Sequence, residues 1–258
     1  MMDFSKNCYV IAHRGASAYY PENTMSAFKG ALELKADMIE LDVLLTKDRI
    51  PIVFHDEKLN KKTNGKGLTQ DFTLTELQEL DAGSWFDKKF KEEKIPTLLE
   101  VLEFSKGKIL VNIEIKTEAV SDIEKGGVVQ IIIEMLKDLE MEEQVILSSF
   151  DYRAIERVNK YSKDIKTALL YEKKQSSNKT PATLIEEYEV DAFNCSKKQL
   201  SEKWISELNN SRIPYFIYTV NKKEEMLSLI KHGAKGIFSD KPDVLKRVAD
   251  EFFRKELM

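Results

Sequence analysis

Short apolar segments alternate with amphipathic segments along most of the chain. The apolar segments are rich in β-branched residues, as buried strands are. The segments between them repeat apolar residues at helical spacing, for example Val128, Ile132, Met135 and Leu136. The predicted strands are Tyr9–His13, Met38–Leu44, Pro51–His55, Lys108–Lys116, Gln144–Phe150, Lys166–Glu172, Asp191–Ser196, Ile213–Val220 and Gly236–Asp240. This α/β alternation predicts a parallel sheet, either open or closed.

The number of predicted strands exceeds by one the eight that a closed barrel of alternating strands and helices contains. Only the residues Thr46–Pro51 separate the second and third predicted strands. A parallel crossover needs about a dozen residues or more, so these two strands can be joined only as an antiparallel hairpin. Removing the returning strand leaves the eight strand–helix units of a (β/α)8 barrel. The hairpin also brings His55 back toward the level of Glu40 and Asp42.

The segment from Asp56 to Lys94 departs from this alternation. It is polar, it contains the turn sequence Asn-Gly-Lys-Gly, and its one short helical pattern lies around Leu77. It is too long for an ordinary strand–helix loop, and it leaves from the end of the strands where such barrels hold their active sites. We therefore predict a small capping insertion at residues 56–94 within a single domain spanning residues 1–258. The alternative is a peripheral excursion without a role.

Composition narrows the class of protein. The chain has 258 residues, with 40 Lys and Arg against 44 Asp and Glu, which gives a net charge of −4. Its 42% hydrophobic and 33% charged residues are typical of a folded globular protein rather than a disordered one. The slight acidity argues against a general nucleic-acid binder. No apolar segment approaches the roughly 20 residues of a membrane-spanning helix, and no large additional apolar stripe assigns an oligomeric state.

The cysteines and the N-terminal residues indicate the cellular compartment of the protein. Met1–Asn7 lacks the basic and then apolar pattern of a secretory signal peptide. Cys8 and Cys195 are far apart in the chain and form no metal-type cluster, so we interpret them as reduced, partly buried thiols. These features favour a cytoplasmic protein.

Three acidic residues lie within predicted strands. Glu40 and Asp42 are two positions apart and share a face, as do Glu114 and Lys116. Carboxylates on an inward face repel each other unless a cation lies between them, so we predict a Mg²⁺ or Ca²⁺ site, with Lys116 beside it for an anionic substrate. The alternatives are surface acids at 40 and 42 and a core Glu–Lys pair at 114 and 116. The repulsion also predicts that Asp42→Ala leaves the metal-free protein no less stable.

Two histidines end predicted strands on the same side of the sheet. His13 and His55 together suit a reaction that needs one acid and one base near neutral pH, although a lone histidine is more often structural. Arg14 follows His13 and offers a planar fork suited to a phosphate. The segment Pro21–Thr24 predicts the start of a helix with Asn23 as its cap.

Five short motifs occur in order along the chain: His-Arg-Gly at 13–15, Pro-Glu-Asn-Thr at 21–24, Glu-x-Asp-Val at 40–43, Val-x-His-Asp at 53–56 and Ile-Glu-Ile-Lys at 113–116. In this order they resemble the glycerophosphodiester phosphodiesterases, which share a TIM barrel. The resemblance extends from Ile11 to Asp243. The segment from Leu74 to Phe86 resembles the insertion that separates this family from the phosphatidylinositol-specific phospholipases C.

The resemblance implies a role for each candidate residue. The implied acid–base pair is His13 and His55, the ligands of one divalent cation are Glu40, Asp42 and Glu114, and the phosphate-binding residues are Arg14 and Lys116. The implied reaction is hydrolysis of a small glycerophosphodiester to sn-glycerol 3-phosphate and an alcohol. In the family it is drawn as attack of the glycerol 2-hydroxyl on phosphorus, through a cyclic phosphate that water then opens.

The chain departs from the family pattern at two places. Tyr218 stands where tryptophan is usual, and the resemblance implies that it forms a wall for the alcohol or the glycerol. Lys61–Thr63 stands where Arg-Thr-Thr is usual, outside the catalytic set. A second enzyme activity, lysophospholipase D-like hydrolysis, is favoured if Trp85 and Phe86 form an exposed apolar lip. A module that binds a phosphate ligand without turnover is a further alternative, but it has no need for an acid and a base.

Overall fold

Nine strands and ten α-helices succeed one another over the part of the chain that the computed structural model describes, residue 4 and residues 6–256. The strands are β1 Tyr9–Ala12, β2 Met38–Leu45, β3 Pro51–Val53, β4 Leu110–Ile115, β5 Val145–Ser149, β6 Lys166–Leu170, β7 Ala192–Ser196, β8 Tyr215–Tyr218 and β9 Gly236–Ser239. The helices are α1 Met25–Glu33, α2 Leu74–Gln78, α3 Leu98–Ser105, α4 Val128–Asp138, α5 Tyr152–Tyr161, α6 Lys173–Ser176, α7 Pro181–Tyr188, α8 Glu202–Ser211, α9 Lys223–Lys231 and α10 Pro242–Glu256. Residues 1–3 and 5, on which the expectation about a signal peptide partly rests, lie outside the described residues.

Eight of these strands form a closed parallel ring, because β1 pairs with β9 as well as with β2. The remaining strand, β3, pairs with β2 alone. The fold is therefore a TIM barrel, as predicted. The parallel register of β2 and β4 sets Glu40 beside Asn112 and Asp42 beside Glu114. Neighbouring strands thus bring the predicted metal-binding carboxylates to one level of the barrel.

The predicted hairpin between β2 and β3 is present. The two strands pair antiparallel, with Val43 opposite Val53. Thr46 closes the turn, since its backbone N–H donates to the Ile50 carbonyl at 3.1 Å and its hydroxyl accepts from the Ile50 N–H at 2.8 Å. His55 follows the end of β3 by two residues, and the Phe54 N–H donates to the Asp42 carbonyl at 3.0 Å. The hairpin therefore returns His55 to the level of Asp42 at the carboxyl end of β2.

Alternate residues along the strands separate two apolar layers. One layer lies between the strands and the helices, and it receives Ile39, Leu41 and Val43 of β2. The other fills the inside of the barrel, and its buried members are Tyr9, Ile11, Met38, Ile146, Ala168, Ala192, Phe216 and Phe238. Because residues two positions apart share a face, Glu40 and Asp42 continue the inward row that begins at Met38. The barrel interior thus changes from apolar to charged along β2.

Helix α1 begins one residue later than the sequence predicts. Its cap is Thr24, whose hydroxyl accepts from the Ala27 N–H at 3.3 Å. The predicted cap, Asn23, has a positive φ of 58° and lies buried in the preceding turn. The prediction was wrong because Asn23 uses its side chain elsewhere: its amide donates to Asp42 Oδ2 at 2.8 Å.

The segment 56–94 consists of three short 3₁₀ turns and the helix α2. The 3₁₀ turns span Leu59–Lys61, Thr69–Asp71 and Lys88–Phe90. Helix α2 carries a capping box at Thr73 and Glu76, which confirms the short helical pattern predicted around Leu77. An aromatic chain ties the segment to the loop before α1, with successive ring centroids 5.7, 5.8 and 5.7 Å apart, through Trp85, Phe86, Phe90 and Tyr20. No helix among the described residues is long and apolar enough to cross a membrane.

Candidate active site

A cavity of about 220 Å³ opens at the carboxyl ends of the barrel strands. Seven of the eight residues predicted for the site line it. The eighth, Asp42, is 1% exposed and lies beneath its charged side. The lining residues are His13, Arg14, Glu40, His55, Asn112, Glu114, Lys116, Ser148, Phe150, Leu170, Tyr218, Thr219 and Phe238. The structure thus brings all the predicted residues to one end of the barrel.

The three predicted metal-binding carboxylates form one cluster. Each of Glu40, Asp42 and Glu114 offers an oxygen, and these oxygens all lie within 4.8 Å of one another. Glu40 and Asp42 are nearly inaccessible, whereas Glu114 is partly open to the cavity. Carboxylate oxygens gathered in this way are the donors that hard divalent cations such as Mg²⁺ and Ca²⁺ prefer.

The three carboxyl groups have different electrostatic environments. Burial, together with the charges of Asp42 and Glu114, raises the pKa of Glu40 well above its usual range. Burial and the charge of Asp42 likewise raise the pKa of Glu114 to about 7. Burial alone would raise the pKa of Asp42 as well, but Arg14 and Lys116 lower it to about 2. Two neighbouring cations thus stabilise one carboxylate, and the charge that remains on the other two fits a divalent cation.

Arg14 is held by three carboxylates at the edge of this cluster. Its backbone N–H donates to Glu40 Oε2 at 2.7 Å, and its Nη1 donates to Glu22 Oε1 at 2.9 Å. Its Nε lies 3.3 Å from Asp42 Oδ2. The residue adopts a positive φ of 55°, which turns the chain sharply after β1. Among the described residues Nη1 makes the one hydrogen bond of the guanidinium and the buried Nε makes none, so this group, which lines the cavity, has donors left for an anion.

Lys116 lies just beyond the end of β4 and complements the other side of the cluster. Its ammonium donates to Glu114 Oε1 at 2.8 Å and lies 3.4 Å from Asp42 Oδ1. Burial would lower the pKa of this amine, but the charges of Asp42 and Glu114 raise it, so the side chain stays protonated. The cavity therefore presents two permanent positive charges beside the carboxylates.

His13 is oriented by a carboxylate from the far end of the chain. Its Nδ1 lies 2.7 Å from Asp240 Oδ1. Asp240 also accepts from the Ser17 hydroxyl at 3.1 Å and from the Asn221 amide at 2.6 Å. Burial would raise the pKa of Asp240, but the hydrogen bonds from these partners lower it. An ionised carboxylate accepts only, so the proton between the two groups belongs on Nδ1 and leaves Nε2 of His13 for the cavity.

His55 also has a carboxylate partner, but fewer hydrogen bonds hold that carboxylate than hold Asp240. Its Nδ1 lies 2.7 Å from Oδ1 of its neighbour Asp56. Burial lowers the pKa of His55, and the positive charge of Arg14 acts in the same direction. As at His13, the carboxylate assigns the proton to Nδ1. Both imidazoles therefore line the cavity with their Nδ1 atoms already engaged.

Three polar residues support the site although the sequence reasoning gave them no role there. Asp240 holds His13, Asn23 donates to Asp42, and Glu22 accepts from Arg14. Asn23 and Glu22 belong to the Pro-Glu-Asn-Thr motif, and Asp240 follows the last strand, so a search for polar residues just beyond strand ends could have found Asp240. The pairing itself is visible only once the barrel closes.

The side of the cavity opposite the charges is apolar. Tyr218 ends β8, and its ring centroid lies 6.0 Å from that of Phe150 and 6.2 Å from that of Phe238, both nearly edge-on. Leu170, at the end of β6, completes this side. Burial raises the pKa of the Tyr218 hydroxyl, so it remains protonated. The predicted position of Tyr218 as a cavity wall is consistent with this arrangement.

Trp85 does not line the main cavity. Its indole N–H donates to the Ala82 carbonyl at 2.8 Å, and Lys62 covers its ring. It borders a separate small void that also touches His55. The tryptophan therefore packs within the insertion, immediately behind one of the histidines.

The chain is similar to a known family over nearly its whole length. The model of the glycerophosphoryl diester phosphodiesterase family matches residues 13–244. A glycerophosphodiester phosphodiesterase of Caldanaerobacter subterraneus is 42% identical over 237 residues, which cover 92% of this chain and 95% of that one. One from Bacillus subtilis is 36% identical, with 92% and 85% covered. The structure of an Oleispira antarctica phosphodiesterase in complex with the product sn-glycerol-3-phosphate superposes with a TM-score of 0.86 at 28% identity, covering 93% and 96%.

The barrel and these relatives define a TIM-barrel phosphodiesterase, a hydrolase of phosphoric diesters. Within that class, the chain belongs to the glycerophosphoryl diester phosphodiesterase family. It is an enzyme of the glycerophosphodiester phosphodiesterase type, and the reading of the barrel as a mere binding module is set aside.

Proposed function

We propose that the chain hydrolyses small glycerophosphodiesters to sn-glycerol 3-phosphate and an alcohol, by acid–base catalysis at His13 and His55 beside one divalent cation. One observation carries the proposal: the two histidines, each with Nδ1 engaged by a carboxylate, line the same cavity as the three clustered carboxylates. The product bound to the Oleispira antarctica phosphodiesterase supports the choice of products.

The residues divide the reaction between them. Arg14 and Lys116 bind the phosphate through their permanent charges, and Tyr218 packs against the glycerol or the alcohol. One imidazole accepts the proton of the glycerol 2-hydroxyl as its oxygen attacks phosphorus. The other donates a proton to the alcohol oxygen as its bond to phosphorus breaks. Water then opens the cyclic phosphate with the two histidines in exchanged roles, which returns both to their starting protonation states.

Glu40, Asp42 and Glu114 fit a divalent cation, because the pKa values of Glu40 and Glu114 are raised where no cation balances them. When held by these three residues, such an ion, Mg²⁺ or Ca²⁺, would supply positive charge to balance the negative charge that develops during the reaction. Lys116 and Arg14 keep Asp42 ionised and ready to serve as a ligand.

We further propose that residues 1–258 act as a single unit in which the segment 56–94 is a subdomain over the site. Its support is positional: Asp56 orients His55, and Trp85 packs behind it. The two cysteines are free and buried, which is consistent with the expected reducing, cytoplasmic compartment.

The contacts of the insertion favour diesters without an acyl chain. The lysophospholipase D-like alternative expects an exposed apolar lip at Trp85 and Phe86, but both rings are partly buried and pack on each other at 5.7 Å. Among the described residues, the exposed large hydrophobic side chains are Tyr19, Ile50, Leu99 and Ile123, none of which belongs to the segment 56–94.

The test is a panel of glycerophosphodiesters with choline, ethanolamine, glycerol and inositol headgroups, assayed after chelation and after Mg²⁺ or Ca²⁺ is restored. We expect chelation to abolish turnover, and restored metal to yield sn-glycerol 3-phosphate and the alcohol in equal amounts. Full activity in excess chelator contradicts the metal assignment. Faster turnover of a lysophospholipid than of every short diester contradicts the proposed substrate class.

A further inference from the structure

Lys62 belongs to the insertion, but it reaches the carboxylate that holds Arg14. Its Nζ lies 3.0 Å from Glu22 Oε2. The other oxygen of the same carboxylate, Oε1, accepts from Arg14 Nη1 at 2.9 Å. Glu22 is thus shared between two cations, one from the insertion and one from the edge of the cavity. Lys62 itself does not line the main cavity.

The position of Lys62 is well defined on both its backbone and its side chain. It ends the 3₁₀ turn Leu59–Lys61, and its N–H donates to the carbonyl of the fully buried Leu59 at 3.3 Å. Its ammonium lies 3.7 Å from the centroid of the Trp85 ring, whose face attracts a cation. The side chain is 24% exposed. The ammonium is therefore confined between an aromatic face and a carboxylate rather than free in solvent.

This arrangement determines which way the Glu22 carboxylate faces. With a cation on each oxygen, the carboxylate has a single orientation that satisfies both, and Nη1 of Arg14 is drawn to it. The charge of Asp42 attracts the same guanidinium: its Oδ2 lies 3.3 Å from Nε, although Nε makes no hydrogen bond. The hydrogen bond at Nη1 and this ion pair are two anchors that hold the guanidinium at the edge of the cavity that Arg14 lines. Without Lys62, Glu22 carries an unbalanced charge and can rotate, which loosens one of the two anchors.

We propose that Lys62 is a positioning residue for phosphate binding: through Glu22 it holds the guanidinium of Arg14 in the orientation that receives the phosphate. The inference rests on the proposed function, because that proposal assigns Arg14 to the phosphate. The inference adds a residue of the insertion to the site. It also assigns a role to Lys62, which lies at one of the two places where the chain departs from the family pattern.

The experiment compares Lys62→Met with Lys61→Met in the whole enzyme with its metal restored. Methionine keeps an unbranched apolar stem on Trp85 and removes the charge. Lys61→Met removes the same charge from the exposed neighbour. For Lys62→Met we expect the KM for a glycerophosphodiester and the inhibition constant for inorganic phosphate to rise about three- to tenfold, with kcat changed less than about twofold. Lys62→Arg should restore both constants, and Lys61→Met should leave them unchanged.

A double-variant cycle with Arg14 separates positioning from direct binding. If Lys62 acts through Arg14, adding Lys62→Met to Arg14→Met should raise the phosphate inhibition constant little beyond Arg14→Met alone. Arg14→Lys, which keeps the charge but loses the fork, serves in the same cycle if Arg14→Met does not fold. If the two substitutions instead raise the phosphate inhibition constant by independent factors that multiply, Lys62 does not act through Arg14. Its effect on phosphate is then direct or long-range.

The failures of the two proposals are distinguishable. If Arg14→Met and Arg14→Lys both leave the phosphate inhibition constant unchanged, the phosphate-binding role of Arg14 is wrong, and the role of Lys62 is wrong with it. If the Arg14 variants raise this constant but Lys62→Met does not, or if Lys61→Met raises it equally, only the inference about Lys62 is wrong. A fall in melting temperature for Lys62→Met with unchanged kinetic constants likewise contradicts positioning and indicates a structural role.

Discussion

The two sides of the cavity are built on the same repeated strand–helix unit but hold their side chains by different forces. On the side formed by β1, β2 and β4, Arg14 and Lys116 bind the carboxylates of Asp42 and its neighbours. On the side formed by β5 to β9, Tyr218 and other apolar residues pack by contact, with ring centroids about 6 Å apart. The charged side gathers carboxylates and cations that suit ionic ligands, whereas the apolar side keeps its shape by packing. Substitutions on the two sides should therefore differ in kind.

The largest effect should come from removing the imidazoles on the charged side. Loss of a general acid or base costs about 10²–10⁴-fold in rate, so we expect His13→Ala and His55→Ala each to reduce kcat by that amount. The double variant should lose little more than the worse single variant, because the two groups act as a unit. His232→Ala is the matched control, since His232 is an exposed residue at the end of α9. Near-normal turnover in His55→Ala would remove His55 from the mechanism.

In the metal-free protein, removing different carboxylates from the charged side should change the melting temperature in opposite directions. Burial and like charges raise the pKa of Glu40, so its ionised form opposes folding at neutral pH, and Glu40→Gln should raise the melting temperature by at least about 2 °C. Arg14 and Lys116 lower the pKa of Asp42 to about 2, so its ionised form favours folding, and Asp42→Asn should lower the melting temperature by a similar amount. The contacts of Asp42 thus predict the opposite of what repulsion alone predicts, and the melting temperature of the variant decides between the two.

The sign of the pH dependence follows from the same two groups. Ionised Asp42 contributes to the free energy of unfolding above its unfolded pKa of about 3.9. This contribution is lost as the pH falls through about 2. Glu40 and Glu114 contribute to the free energy of unfolding in their protonated forms, and this contribution is fully present below their unfolded pKa of about 4.3. They are lost as the pH rises, through about 7 for Glu114. Thermal denaturation in chelator should show the wild-type melting temperature falling between about pH 5 and pH 8, and falling less for Glu40→Gln. Equal slopes for the two proteins would contradict this account of the cluster.

The smallest effect on turnover should come from the apolar side, where the size of a side chain matters more than its charge. Tyr218→Ala removes a ring that contacts Phe150 and Phe238, so we expect a loss of about 3 kcal/mol in unfolding free energy and a higher KM, with kcat reduced less than in the histidine variants. Tyr218→Phe is the matched control, because it keeps the ring and removes only the hydroxyl. Chemical denaturation and steady-state kinetics measure both quantities. A kcat loss in Tyr218→Phe as large as that in His13→Ala would place the hydroxyl in the chemistry.

Features that depend on local geometry could be predicted from the sequence. The spacing of Glu40 and Asp42 predicts one shared face, because side chains alternate along a strand, and both carboxylates do belong to one cluster. The short link Thr46–Pro51 predicts the hairpin by exclusion of a crossover. Both predictions are confirmed because they need no knowledge of distant residues.

Features that depend on distant contacts could not be predicted in the same way. Asn23 has the sequence pattern of a helix cap, but its positive φ turns its amide toward Asp42, on another strand. Glu22 and Lys62 meet across 40 positions, and no local pattern distinguishes Lys62 from the exposed Lys61 beside it. Which of the two neighbouring lysines faces inward depends on the geometry of the 3₁₀ turn Leu59–Lys61, which contains Lys61 and ends at Lys62, and residue type encodes such geometry poorly.

The hydrogen bond between His13 and Asp240 joins residues 227 positions apart. Asp240 directly follows β9, which pairs with β1, so this hydrogen bond joins the ends of the first and the last strand of the ring. During synthesis on the ribosome, nearly the whole chain must therefore emerge before His13 meets its carboxylate. If His13 acts as proposed, full turnover should first appear when the last strand has docked and the ring of strands is complete.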